Sequence, residues 1–249
     1  MNCFIKYCGI TFLLFFAACK EERCASAETA VQKNWHQKTT SARFFPAKGL
    51  WLHRTNHPAK FSKYADAYAG FEMDVNIDTM RMLLDVYHPP ETSQNIRVED
   101  FLNQKAASGK YFWFDCKNLS LSNIAKTLKV LQQLDSAYQI KDRLVFESTN
   151  AAALKIIAAA GYYTFYYLSF TEETDLCTDT VLLSKMAAQI DTSFTAISAD
   201  GRYIKTLNAL FPQCRKATWT LSTLRNWFQN EQHEMLQDSM VLIVLKRER

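Results

Sequence analysis

The segments YFWFDCK (111–117), LSNIAKTLKVLQQLDSAY (121–138), RLVFEST (143–149), NAAALKIIAAAG (150–161) and YYTFYYLSF (162–170) follow one another almost without a break. The first, third and fifth have strand length and are rich in aromatic and β-branched residues; the second and fourth carry apolar residues at helical period. Asn150 stands where the second helix needs a cap. Outward from this core the alternation continues. Strands are expected at Leu50–Arg54, Phe71–Ile77, Met82–His88, Tyr163–Phe170, Thr195–Ala199, Lys216–Leu221 and Met240–Leu245. Helices are expected at Ala59–Tyr68, Val98–Ala107, Thr178–Gln189, Tyr203–Leu210 and Thr223–Leu236. Gly49, Gly70, Gly109 and Gly161 each precede a strand, and the last three also close a helix, where glycine supplies a left-handed cap. Regular alternation of this kind implies a parallel sheet covered by helices. Eight or nine strands in about 200 residues point to a single α/β domain, a closed (β/α)8 barrel, over residues 46–249. An open doubly wound sheet is the rival, but no Gly-rich phosphate loop follows the first strand.

Composition agrees. With 249 residues, 48% of them hydrophobic, the chain buries a full core and disorder is excluded. Six glycines and five prolines exclude collagen-like and low-complexity designs. A formal charge of +4, scattered along the chain, gives no case for nucleic acid as a partner.

The N-terminus reads as an export signal. Lys6 precedes an apolar run from Gly9 to Ala18 that is too short to span a bilayer. Phe16-Ala-Ala-Cys19 closes it in the manner of a bacterial lipobox, so residues 1–18 are expected to be removed and Cys19 lipidated. Residues 19–45 then form a polar tether, and the expected product is an exported, membrane-anchored bacterial lipoprotein, monomeric and touching the membrane by its anchor alone. Cleavage at Ala25-Ser-Ala27 is the competing reading. Cys116, Cys177 and Cys214 lack zinc spacing and are expected to be buried thiols.

In a βα barrel, chemistry gathers at the C-terminal ends of the strands. His53 and Arg54 end the first expected strand, Glu72 and Asp74 share one face of the second, and His88 ends the third. Asp115 and Lys117 end the next, and Glu147 lies near the end of the one after. Glu72, Asp74 and Asp115 converging on one mouth would repel each other without a cation, and such hard oxygen ligands suit Mg2+ or Ca2+. His53 and His88 beside them supply a general base and acid. Arg54 and Lys117 are placed to hold an anionic substrate, and Glu147 is assigned to substrate or metal. The run from Tyr162 to Tyr167 is read as barrel packing.

The ordered set His53-Arg54, Glu72-Met-Asp74, His88, Asp115-Cys-Lys117 and Trp219-Thr220 resembles the glycerophosphodiester phosphodiesterase-like superfamily. That superfamily of TIM barrels includes phospholipases C specific for phosphatidylinositol. The resemblance implies His53 and His88 as the acid/base pair, one divalent cation on Glu72, Asp74 and Asp115, and Trp219 bordering the substrate cleft. Asn56 and His88-Pro89-Pro90 are similar to the menorin group, which shares the barrel, and place Asn56 with the substrate-binding residues. Thr55 stands where the family has glycine, Pro89 where an Asp is common, and the Glu-Asn-Thr segment is absent. These departures bear on a glycerol-type substrate more than on phosphodiester chemistry. The expectation is therefore a phosphodiester hydrolase, or cyclising lyase, acting on a small-molecule or lipid phosphodiester. A non-catalytic barrel binding a lipid head group, glycan or peptide is the alternative; a metal-assisted glycoside hydrolase leaves the histidines and lysine unexplained.

Overall fold

The computed structural model describes residues 45–171, 174–190, 193–219 and 227–248. The leader, Cys19 and the tether as far as residue 44 lie outside them, as do the end of the eighth expected strand and the start of the last helix.

The chain runs β1 (Gly49–Leu52), α1 (Pro58–Tyr64), β2 (Gly70–Asp78), β3 (Leu83–Val86), α2 (Glu99–Leu102), β4 (Tyr111–Cys116), α3 (Ile124–Tyr138), β5 (Leu144–Ser148) and α4 (Ala151–Ala159). It continues through β6 (Tyr163–Tyr167), α5 (Thr180–Gln189), β7 (Ala196–Asp200), α6 (Ile204–Leu210), β8 (Lys216–Trp219), α7 (Trp227–Gln237) and β9 (Val241–Lys246). Eight strands pair in parallel, in the order β1, β9, β8, β7, β6, β5, β4, β2, and pairing of Leu52 with Phe71 closes the ring. This is a single (β/α)8 barrel.

One element departs from the expected alternation. The Met82–His88 segment is not a barrel stave: β3 is a short strand antiparallel to β2, with Val86 opposite Val75 and Leu83 opposite Asp78. A four-residue link, Thr79 to Met82, joins β2 to β3, and so short a link permits only an antiparallel return. The expected Val98–Ala107 helix is also broken, into α2 and a 3-10 turn at Lys105–Ala107.

Strand alternation sorts the core into two layers. Phe71, Met73, Val75, Phe112, Phe114, Cys116, Leu144 and Phe146 point outward and pack beneath the helices. Trp51, Trp113, Val145, Tyr163, Phe165, Ala196 and Leu245 fill the barrel interior. Phe45, just ahead of the barrel, joins that interior layer, with its ring centroid 4.8 Å from Tyr163 and 5.6 Å from Tyr111. Gly109 and Gly161 adopt the left-handed conformation expected of them. Gly70 does not: a Cβ there would lie 2.1 Å from Cδ2 of the buried Trp51, so close packing, not capping, demands the glycine. Asn150 caps α4 as expected, accepting from the Ala153 amide at 3.1 Å. Cys116 is a buried free thiol, but Cys177 is disulfide-bonded, which overturns the expectation of three thiols.

Candidate functional site

The polar ends of β1, β2, β4 and β5 meet at the C-terminal mouth. The segment after β1 crosses to β2 through three contacts. The Thr55 amide donates to the Glu72 carbonyl at 2.7 Å, and the Arg54 amide to Glu72 Oε2 at 2.6 Å. The Asn56 side chain donates to Asp74 Oδ2 at 2.6 Å while accepting from the Asp74 amide at 2.9 Å. Parallel pairing then sets Asp74 beside Asp115 and Asp115 beside Glu147. His88 reaches the mouth from above: the β3 hairpin runs back down β2, and the Tyr87 amide donates to the Asp74 carbonyl at 3.1 Å.

These residues line a cavity of about 130 Å³, whose walls include His53, Arg54, Glu72, Asp74, His88 and Asp115. Lys117, Glu147, Tyr167, Trp219 and Leu245 complete it. All the sequence-assigned barrel residues are thus brought together except Asn56, whose amide is committed to Asp74 and does not line the cavity. Tyr167 and Leu245 were missed. Tyr167 was legible as the inward position two residues beyond Phe165, so the aromatic run contributes to the cavity wall as well as to packing.

Glu72, Asp74 and Asp115 each offer an oxygen within 4.8 Å of the others. Lys117 donates to Asp74 Oδ1 at 2.7 Å and also contacts Asp115 Oδ2. Burial works against the ionised form of all three carboxyls, and only Asp74, held by both Lys117 and Asn56, ends below its ordinary range. Burial, with the charges of Asp74 and Asp115, pushes Glu72 well above the usual carboxylate range, and burial raises Asp115 too. One ammonium does not neutralise three buried carboxylates. That shortfall, with an all-oxygen donor set, fits a hard divalent cation on these residues.

The histidines differ in state. Burial, reinforced by the Arg54 charge, drives His53 down to about 3, so its ring is neutral across the physiological range. Its Nε2 lies 3.8 Å from Glu72 Oε2, and its buried Nδ1 meets no hydrogen-bond partner among the described residues. Arg54 Nη2 lies 3.1 Å from His88 Nε2. A guanidinium only donates, so this His88 nitrogen accepts. Glu147 is held from two sides, by Trp113 Nε1 at 2.8 Å and by the Ser198 hydroxyl. Burial and Asp115 raise its carboxyl well above the usual range.

Fold and site together define a (β/α)8 barrel with a carboxylate-lined cavity at its C-terminal mouth. No protein-family model matches the chain, and no curated protein matches it in sequence. Solved structures do match its fold. A glycerophosphodiester phosphodiesterase from Parabacteroides distasonis superposes with a TM-score of 0.55 at 15% identity, over 82% of this chain and 93% of that one. A phosphodiesterase from Oleispira antarctica, in complex with the product sn-glycerol-3-phosphate, superposes with a TM-score of 0.56 at 8% identity, over 80% and 93%. A third, the glycerophosphodiester phosphodiesterase of Agrobacterium tumefaciens, gives 0.51 at 12% identity, over 80% and 96%.

Proposed function

We propose that this protein is a metal-assisted phosphodiesterase that cleaves a phosphodiester of the glycerophosphodiester or phospholipid head-group type. The observation that carries the reading is the convergence of Glu72, Asp74 and Asp115 within 4.8 Å, lined up with two histidines and two cationic side chains on one cavity. The likeness of the barrel to phosphodiesterases, one of them holding sn-glycerol-3-phosphate, supports the substrate class.

Glu72, Asp74 and Asp115 would hold one divalent cation, Mg2+ or Ca2+, which supplies Lewis-acid stabilisation of charge on a phosphoryl oxygen. Arg54 and Lys117 bind the phosphoryl oxygens, Arg54 turning its guanidinium from His88 Nε2 to the phosphate. That exchange leaves the His88 lone pair open. His53, which follows β1, and His88, which follows β3, form the acid/base pair: the neutral imidazole takes the proton of the attacking oxygen, and its partner, entering the step as the imidazolium beside the phosphodiester, gives one to the leaving alcohol. The attacking oxygen is water or a neighbouring substrate hydroxyl, and phosphorus NMR of the product distinguishes a monoester from a cyclic phosphate. Tyr167 and Trp219, whose rings meet edge to face at 5.1 Å, close the apolar side of the cavity against the leaving group.

The test pairs calorimetry with turnover of a panel of phosphodiesters. Replacing Glu72 or Asp74 by Ala should abolish cation binding and turnover together. His53→Ala and His88→Ala should spare cation binding while lowering turnover by about 10²-fold or more. A wild type that binds the cation yet cleaves no phosphodiester would instead favour a barrel that only binds head groups.

The export reading belongs to the same proposal. The lipobox-like Phe16-Ala-Ala-Cys19 motivates a lipid anchor at Cys19, and the disulfide at Cys177 supports an oxidising compartment. Intact mass of the membrane-extracted protein should show a diacylated N-terminus at Cys19; an unlipidated N-terminus at Glu28 would reject the anchor.

A further inference from the structure

We propose that Lys60, which lies outside the cavity, is the positioning residue for both His53 and Arg54: its ammonium bridges their backbone carbonyls and locks the turn that aims the two side chains into the site. The inference rests on the phosphodiesterase reading for its effect on turnover, but the geometry stands independently of it.

The turn needs a lock because its backbone is unfavourable. Arg54 adopts φ +51, a left-handed conformation that a side chain with a Cβ resists. Its amide side is fixed by β2, through Arg54 to Glu72 Oε2 and Thr55 to the Glu72 carbonyl. The carbonyls of His53 and Arg54 both turn toward Lys60 Nζ, which donates to them at 2.7 and 2.9 Å. The turn is therefore gripped between a carboxylate and an ammonium. An ammonium suits the task, since one nitrogen carries three donors.

The ammonium is itself held in place. Lys60 lies in the first turn of α1, after the cap formed by His57, whose Nδ1 accepts from the Ala59 amide at 3.3 Å, and after Pro58. The next residue, Phe61, is fully buried, with its ring 4.7 Å from Phe71 and 6.2 Å from Phe101 and Phe112. This anchors α1 to the outer face of the barrel. Lys60 thus links a rigid helix to the stretch that must place an imidazole and a guanidinium, without touching the substrate.

Lys60→Met keeps the aliphatic stem and removes the bridge; Lys60→Arg keeps two donors. Assayed on bis(p-nitrophenyl) phosphate with added Mg2+, Lys60→Met should lose kcat by about 10²-fold, the usual effect of an ångström of misplacement, and raise KM as Arg54 loses its place on the phosphate. Lys60→Arg should recover most of it. Carbon-13 labelled histidine gives a readout that does not depend on activity. The imidazole signals of His53 and His88 should shift in Lys60→Met and hold in Lys60→Arg, while that of exposed His233 stays put in both. Unmoved His53 and His88 signals in Lys60→Met, or a lowered Tm with wild-type kcat per folded molecule, would overturn the proposal. If Lys60→Met does not fold, Lys60→Gln, with a shorter neutral donor, carries the same expectations. A wild type without turnover refutes the phosphodiesterase reading, and the imidazole signals still decide the role of Lys60.

Discussion

Glu147 shows how much a single buried carboxyl depends on its protonation state. It is 1% exposed, and burial followed by the Asp115 charge pushes it well above the ordinary carboxylate range, which favours the protonated form. One oxygen accepts from Trp113 Nε1 at 2.8 Å, and the other meets the Ser198 hydroxyl. A protonated carboxyl accepts from Trp113 at one oxygen, and at the other the Ser198 hydroxyl, which donates to Glu147 Oε1, rotates to accept. An amide does the same. Glu147→Gln should therefore stay within about 1 kcal/mol of wild type in urea unfolding at pH 7, whereas Glu147→Ala should cost at least the ~1–3 kcal/mol of an orphaned buried donor, here Trp113. If Gln costs as much as Ala, Glu147 is ionised and this assignment is wrong. The sequence marked Glu147 as facing the mouth but not what it does there, because Trp113 and Ser198 come from two other strands and neither carries a motif. Asn56 is the converse case. Its resemblance to the menorin group suggested a substrate contact, yet both ends of its amide are taken by Asp74, which makes it a support for that carboxylate.

At the scale of the element, the strands of the barrel were legible because alternation is local: Trp113 and Asp115 face in, Phe112 and Phe114 face out, and period two says so directly. The pairing of strands is not local. Leu83–Val86 has the same pattern whether it enters the ring or folds back on β2, and only the four-residue link argues for the return that delivers His88. Gly70 was likewise misread for want of a partner 19 positions away. Gly70 and Gly109 therefore make a controlled pair. A Cβ at Gly109, φ +72, meets nothing within 4 Å, so Gly109→Ala should cost only the ~1–2 kcal/mol of a left-handed side chain. At Gly70 the Cβ would lie 2.1 Å from the Trp51 ring, which is itself fully enclosed. Gly70→Ala should reach or exceed the upper end of the ~1–3 kcal/mol typical of overpacking, and Trp51→Leu in the same chain should return part of it. Equal costs for the two alanines would remove the Trp51 contact as the reason for Gly70.

Across the whole molecule, stability and cation binding are coupled to pH through buried charge. Lys216, in β8 on the helix side of the barrel, is fully buried, donates to the Phe211 carbonyl at 2.7 Å, and is brought by burial from 10.5 down to about 8. Its folded value lies below its unfolded one, so between those values the unfolded chain binds more protons and stability rises with pH. The difference between wild type and Lys216→Met should therefore shift in favour of wild type as pH climbs from about 8 to 10.5, by up to about 3 kcal/mol. A flat difference would mean that Lys216 stays charged and satisfied.

Glu72 runs the other way. Its folded value is raised above its unfolded one by burial and by Asp74 and Asp115, so the stability it lends is present below the unfolded value near 4.5 and is lost as pH rises. At neutral pH the mouth either keeps a proton on Glu72 or tolerates three crowded negative charges. A divalent cation removes that conflict by displacing the proton, so its affinity should grow with pH. Saturation at about 100 times Kd adds about 2.7 kcal/mol, or roughly 5–10 °C in Tm for a domain of this size. The gain from Mg2+ or Ca2+ should be largest near pH 8 and small near pH 5. Glu72→Gln should weaken the gain and its pH dependence and, by removing one buried ionisable group, raise Tm without cation. Scanning calorimetry across that range decides the matter. A cation effect that is the same at both pH values, or that is undiminished in Glu72→Gln, would place the ion somewhere other than the three converging carboxylates.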